Sequence, residues 1–169
     1  SSAASDVYKR QGIYFYSGFM FFYNLERNGK MPGSAQEIRY INRDENTHLW
    51  LFRNIIKELQ KEEPGLFNDD LKKELVDMMK KGVKNEIAWG HYVIGDNIQG
   101  INKKLIEDYI KYLGNLRLSA IGLPKIYDGY DENPALWVDV LADANSVKTD
   151  FFEAKSTAYA KAATLIDDL

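Results

Sequence analysis

No cysteine occurs in the 169 residues, and only two histidines do. The first absence removes thiol catalysis, zinc–thiolate sites and disulfide frameworks together, and it suits a reducing compartment. The second leaves any imidazole-dependent site almost no choice of residue. Charge of one sign is never concentrated: 22 Lys and Arg stand against 25 Asp and Glu, for a net charge of −3. Without a basic stripe to engage phosphates or a lipid surface, neither nucleic acid nor a membrane is an expected partner. No apolar run reaches the roughly 18 residues of a membrane span, and the N-terminus lacks the charged-then-apolar order of a targeting signal. A Gly-rich phosphate loop is missing as well. These absences describe a soluble, cytoplasmic protein. The 45% hydrophobic and 28% charged residues are enough for one globular core.

Ser1–Gln11 is small and polar before a charged end and lacks periodicity of either kind. We read residues 1–11 as an appended, non-native segment, because Asp6–Gln11 is similar to translated sequencing-adapter readthrough. On that reading the natural gene is cut at Gly12. From Ile13 to Leu25, aromatic and aliphatic side chains cover nearly every face. The pattern predicts a central helix, with a strand pair as the competing assignment. After Pro32-Gly33, Ser34 with Glu37 forms a possible capping box opening a long helix to about Leu59. Further amphipathic patterns run from about Asn68 to Ile94 and from about Lys103 to Ile121, then Gly, Pro and Asn punctuate the chain to Pro134. No strand alternation persists, so the fold class is all-α. Residues 12–142 form the helical domain and 143–169 a loosely held tail.

The informative stretch is the second helix. Ile38, Ile41, Glu45, His48, Phe52, Ile55 and Leu59 recur at spacings of three and four, which predicts a single apolar seam interrupted by two ionisable groups. A carboxylate buried in such a seam must be protonated, paired or bound to a cation. Glu45 and His48, three apart, form the Glu-x-x-His unit of dimetal sites in four-helix bundles. The motif by itself is weak, and a paired core carboxylate is the alternative. Asp44 is either a solvated charge or an acceptor that orients a ligating imidazole. His91, with no acid three residues before it, reads as a surface or satisfied histidine. A dimetal site takes about six protein ligands, and the chain offers one Glu-x-x-His.

Several strings carry a resemblance. Gly12-Ile13-Tyr14-Phe15-Tyr16, Arg43-Asp44-Glu45-Asn46-Thr47-His48 within Ile38–His48, Tyr109–Arg117, Asn133-Pro134 and Lys148-Thr149-Asp150-Phe151-Phe152-Glu153 resemble, in order, the C-terminal half of the class I ribonucleotide reductase small, radical-generating subunit. The likeness runs from Gly12 to about Lys161. It implies an incomplete ferritin-like helical bundle, a homodimer, a large-subunit partner and a dinuclear metal centre. Iron is the leading candidate, with manganese or a mixed pair as alternatives.

By position, Glu45 and His48 match ligands of one metal, and Asp44 matches an aspartate that hydrogen-bonds a metal-bound histidine on the radical's exit route. Phe15, Phe19 and Ile41 fall where the family lines an apolar pocket around its radical. Tyr159 falls on the tail tyrosine that relays the radical to the large subunit. One position departs from the pattern: Gln11 stands where the family has a metal-ligating Glu, and an amide binds a hard cation more weakly. The resemblance therefore implies a reductase subunit when complete, and an inactive piece when alone. A related ferritin-like dimetal oxidase and the non-catalytic half of a split subunit are the rival readings. The oxidase has no reason to keep the tail.

Overall fold

The computed structural model describes residues 2–143, and every regular element among them is helical. The segment expected to stand apart from the fold is the first of these helices, α1 (Ser2–Ile13). Tyr8 on α1 is 2% exposed and donates its hydroxyl to the Arg117 carbonyl at 2.8 Å. Burial pushes its pKa up to about 12. The docking edge consists of Tyr8, Gly12 and Ile13, too few apolar positions to register as a period. Neighbouring helices complete the contact.

The apolar stretch after Gly12 does not continue as one helix. It breaks at Tyr14-Phe15, where Phe15 takes a left-handed backbone (φ 75°), and α2 (Tyr16–Arg27) begins. Next, α3 (Pro32–Glu62) starts two residues before Ser34, with Pro32 at the first helical position and Met31 as an N-cap without side-chain capping. Proline's fixed φ and missing N–H suit that place, so the Ser34–Glu37 capping box is not used. The later helices follow the sequence pattern closely. In α4 (Asp69–Val93), Asn68 caps the Leu71 amide at 2.9 Å. In α5 (Lys103–Ala120), Asn102 caps Leu105 at 2.7 Å. Both use the side-chain oxygen that orphan first-turn amides require. The pattern did not anticipate α6 (Leu136–Asp143), which is held to the end of α2 by the Arg27 guanidinium stacked 3.8 Å over Trp137.

The core gathers Ile13, Met20, Tyr23, Val83, Ile106 and Ile110, all fully buried, where α1, α2, α4 and α5 meet. Gly114 permits the approach of α5 to α4, since a Cβ there would stand 2.8 Å from Val83 Cγ2. Against this core α3 turns Ala35, Asn42, Leu49 and Ile56, a line repeating every seven residues. The seam predicted for α3 is therefore displaced. Of its members Ile38, Glu45, Phe52 and Leu59 are half-buried, while Ile41, His48 and Ile55 are exposed. The stripe lies at the edge of the packed helices: Ile38 and Phe52 pack against the core, while the side bearing Ile41, His48 and Ile55 is left uncovered by the described elements.

Candidate metal centre

Helix geometry places Glu45 and His48 on one side of α3, as their spacing requires. The Glu45 side chain is 19% exposed and that of His48 51%, and His48 Nδ1 lies 3.7 Å from Glu45 Oε2. That separation is too long for a hydrogen bond. Glu45 Oε2 is buried without any hydrogen-bond partner, and so is Gln11 Oε1 on α1. A buried carboxylate oxygen with no donor is costly, and a cation is one of the few things that would satisfy it. Oxygen beside imidazole nitrogen suits iron, manganese or zinc alike. Among the described residues no group of three or more His, Asp or Glu could hold an ion. The pair could occupy one corner of a metal centre, and among the described residues nothing completes it.

The remaining predicted positions separate. Asp44 is exposed on α3, one step round from Glu45. Phe19 is 3% exposed within the core, whereas Phe15 at the helix break is 60% exposed and Ile41 48%. Tyr159 lies outside the described residues. His91 is satisfied, as expected, donating from Nε2 to the Lys103 carbonyl at 2.9 Å.

Two features escaped sequence reasoning. Through Asn46, the residue after Glu45, runs a chain of side-chain hydrogen bonds. Arg117 Nη2 donates to the Tyr16 hydroxyl at 3.0 Å, which donates to Asn46 Oδ1 at 3.2 Å. Asn46 Nδ2 in turn donates to Asn42 Oδ1 at 3.3 Å, and Asn42 Nδ2 to the Tyr23 hydroxyl at 3.0 Å. Only the spacing of Asn42 and Asn46, four apart on one helix, hinted at it. The second feature is Glu86 on α4, 4% exposed, whose Oε1 accepts from the Ser17 amide at 3.1 Å and the Ser17 hydroxyl at 2.5 Å. Nothing in the sequence around Glu86 marks it, since its partner is 69 residues away.

The model of the family described as ribonucleotide reductase, small chain, matches residues 6–134. The chain belongs to this family. Ribonucleotide reductase small chains are also its relatives by direct comparison. The ribonucleoside-diphosphate reductase subunit beta of Treponema pallidum is 60% identical over 164 residues, covering 96% of this chain and 47% of the relative. That of Halalkalibacterium halodurans is 46% identical, covering 89% of this chain and 44% of the relative. Among solved structures, the ribonucleotide reductase R2 subunit from Clostridium botulinum superimposes with a TM-score of 0.80 at 51% identity, over 83% of this chain and 44% of that one. The all-α, ferritin-like fold expected from the resemblance is thus borne out. The chain spans about half the length of the small-chain relatives it matches. Gln11 lies within the matched region.

Proposed function

We propose that this chain contributes one side of the dinuclear metal centre of a ribonucleoside-diphosphate reductase small subunit. The observation that carries the reading is the partnerless, buried Glu45 Oε2 beside His48 on the uncovered side of α3, in a chain of this family. Glu45 and His48 would hold one metal. When bound, the metal pair supplies the oxygen chemistry that generates the radical oxidant. The chain's own residues do the rest. Glu45 brings charge and His48 a neutral imidazole nitrogen. Phe19 would keep water from the inner side, and Asp44 would accept from a ligating imidazole on a neighbouring element. Through the tail, with Tyr159 as relay, the oxidant would pass to the large subunit, which reduces ribonucleotides. The subunit would work as a homodimer in the cytoplasm.

The test joins this chain to the N-terminal half of a related small chain and measures bound iron and manganese. The joined protein should bind two metals per chain. Glu45→Ala and His48→Ala should each lower that number, while the 169-residue chain alone should bind none tightly, because it supplies two of about six ligands. Two tightly bound metals on the chain alone would refute the half-site. Full loading of Glu45→Ala would refute the assignment of Glu45.

A further inference from the structure

Glu45 Oε2 has no hydrogen-bond donor although donors stand close by. The Tyr16 phenol is near enough for the Glu45 charge to raise its pKa further, on top of the larger rise from burial. Asn46 is the next residue of α3, and Asn42 lies one turn before. A buried carboxylate beside a phenol and two amides would ordinarily take a proton from one of them, because charged acceptors form the stronger bonds. Here each of these donors is bonded elsewhere. The single proton of Tyr16 goes to Asn46 Oδ1, the Asn46 amide to Asn42, and the Asn42 amide to Tyr23. Arg117, at the head of the chain, donates to the Tyr16 oxygen and, from Nε, to the Gly12 carbonyl at 3.2 Å. Hydrogen bonds run one way, from the guanidinium through two helices, and none of them ends on Glu45 Oε2.

We propose that Asn46 is a positioning residue which holds the Tyr16 hydroxyl away from Glu45, so that the carboxylate oxygen stays available to a divalent cation. The idea rests on the proposed role of Glu45 as a metal ligand and adds the reason that ligand is left unsatisfied by its own protein. Asn46 suits the task because its amide oxygen accepts the phenolic proton while its nitrogen passes the chain on to Asn42. A leucine or alanine could do neither. Tyr16 is 5% exposed, and the carboxylates whose charge reaches it are Glu45 and, to a lesser extent, Asp139, so without Asn46 its hydroxyl would turn to one of these.

The test is a double-variant cycle in the 169-residue chain, with two readings. The first needs no metal. In a chain labelled at tyrosine Cζ, the Tyr16 resonance is assigned by its loss in Tyr16→Phe. It should shift in Asn46→Ala and return towards its original position when Glu45→Ala is added. An unmoved resonance, or a shift that survives Glu45→Ala, overturns the proposal. The second reading titrates Mn2+ at millimolar concentration and follows the free ion by electron paramagnetic resonance. Asn46→Ala should weaken Glu45-dependent binding roughly tenfold, the scale of one hydrogen bond to a charged group. Asn46→Ala with Tyr16→Phe should restore it, since no hydroxyl remains to occupy Glu45. A merely structural role for Asn46 predicts no such rescue. If Asn46→Ala leaves the affinity unchanged while Glu45→Ala abolishes it, the positioning role is wrong and the ligand assignment stands. If Glu45→Ala changes nothing in the parent, both are wrong. Alanine is the best helix former and Asn46 is exposed, so helicity and melting should remain close to the parent's.

Discussion

The carboxylate of Glu86 closes the N-terminus of a helix to which it does not belong, accepting both the amide and the hydroxyl of Ser17 on a single oxygen. Phe15, the N-cap of α2, has a left-handed backbone and no capping side chain, so the first-turn amides need an acceptor from outside. Glu86 supplies it from α4, and a negative charge also suits the positive end of the helix. One turn along α4, Gly90 leaves the room, since a Cβ there would stand 3.0 Å from Ser17 Oγ and 2.9 Å from Ile106 Cγ2. The break between α1 and α2 is thus built by tertiary contacts, and it sets Gln11 and Phe19 on separate helices.

Burial raises the Glu86 pKa from its ordinary 4.5, against the lowering effect of the Ser17 hydrogen bonds. A carboxyl whose folded pKa lies above its unfolded one binds its proton more tightly when folded. Its contribution to stability is therefore full below pH 4.5 and lost as the pH rises through the folded value. Urea melts across that window should show the parent losing stability relative to Glu86→Gln as the pH rises. A difference independent of pH would show that Glu86 does not titrate there.

Asn115 should prove the most costly polar side chain to remove from α5. It is 2% exposed, and its amide donates to the Tyr127 and Tyr130 carbonyls while its oxygen accepts from the Ile126 and Tyr127 amides. Asn115→Ala leaves those buried loop groups unpaired, at a cost of about 2–3 kcal/mol. Hydrogen exchange at Ile126 and Tyr127 should accelerate before any global unfolding. Protection equal to the parent's would mean that the loop is held by something else.

The uncovered side of α3 carries Ile41, Leu51 and Ile55, all between 37% and 48% exposed. An apolar surface of this kind favours association, so the chain alone should self-associate at micromolar concentration. Joined to the N-terminal half of a related small chain it should lose that tendency. Light scattering coupled to size exclusion distinguishes the two outcomes, and a monodisperse monomer of the chain alone would count against an interface on this side.

Tyr159→Phe in the joined protein should preserve folding, metal loading and large-subunit binding while abolishing ribonucleotide reduction. Phenylalanine keeps the ring but lacks the phenolic proton on which an accessible radical depends. Turnover near the parent rate would remove the relay role from Tyr159. Cutting after Glu153 should in addition weaken binding to the large subunit, because the acidic-apolar end Leu165–Leu169 goes with it.

Local chemistry made much of this protein legible in its residues. Asn68 and Asn102 cap the helices they precede because a short side-chain oxygen reaches the amide three residues on. Glu45 and His48 share a side of α3 because their spacing is close to one helical turn. The family followed from strings such as Arg43–His48, whose order is a property of the chain itself. What the residues could not disclose depends on contacts distant in sequence. The α3 seam was misplaced because period alone does not say which side of an amphipathic helix finds a partner, and the helices packed here take the line through Asn42 and Leu49. The helix at residues 2–13 is docked on the fold through Tyr8 and Arg117, 109 residues apart. Glu86 acquires its role from Ser17, and Tyr16 passes its proton to Asn46, Asn46 to Asn42 and Asn42 to Tyr23 while Glu45 keeps a partnerless oxygen. The sequence by itself determined the courses of α4 and α5, with an asparagine before each, and the two donors three residues apart. Only the tertiary structure decided which side is buried and which polar atoms remain unpaired, because burial and hydrogen-bond satisfaction are properties of neighbours in space.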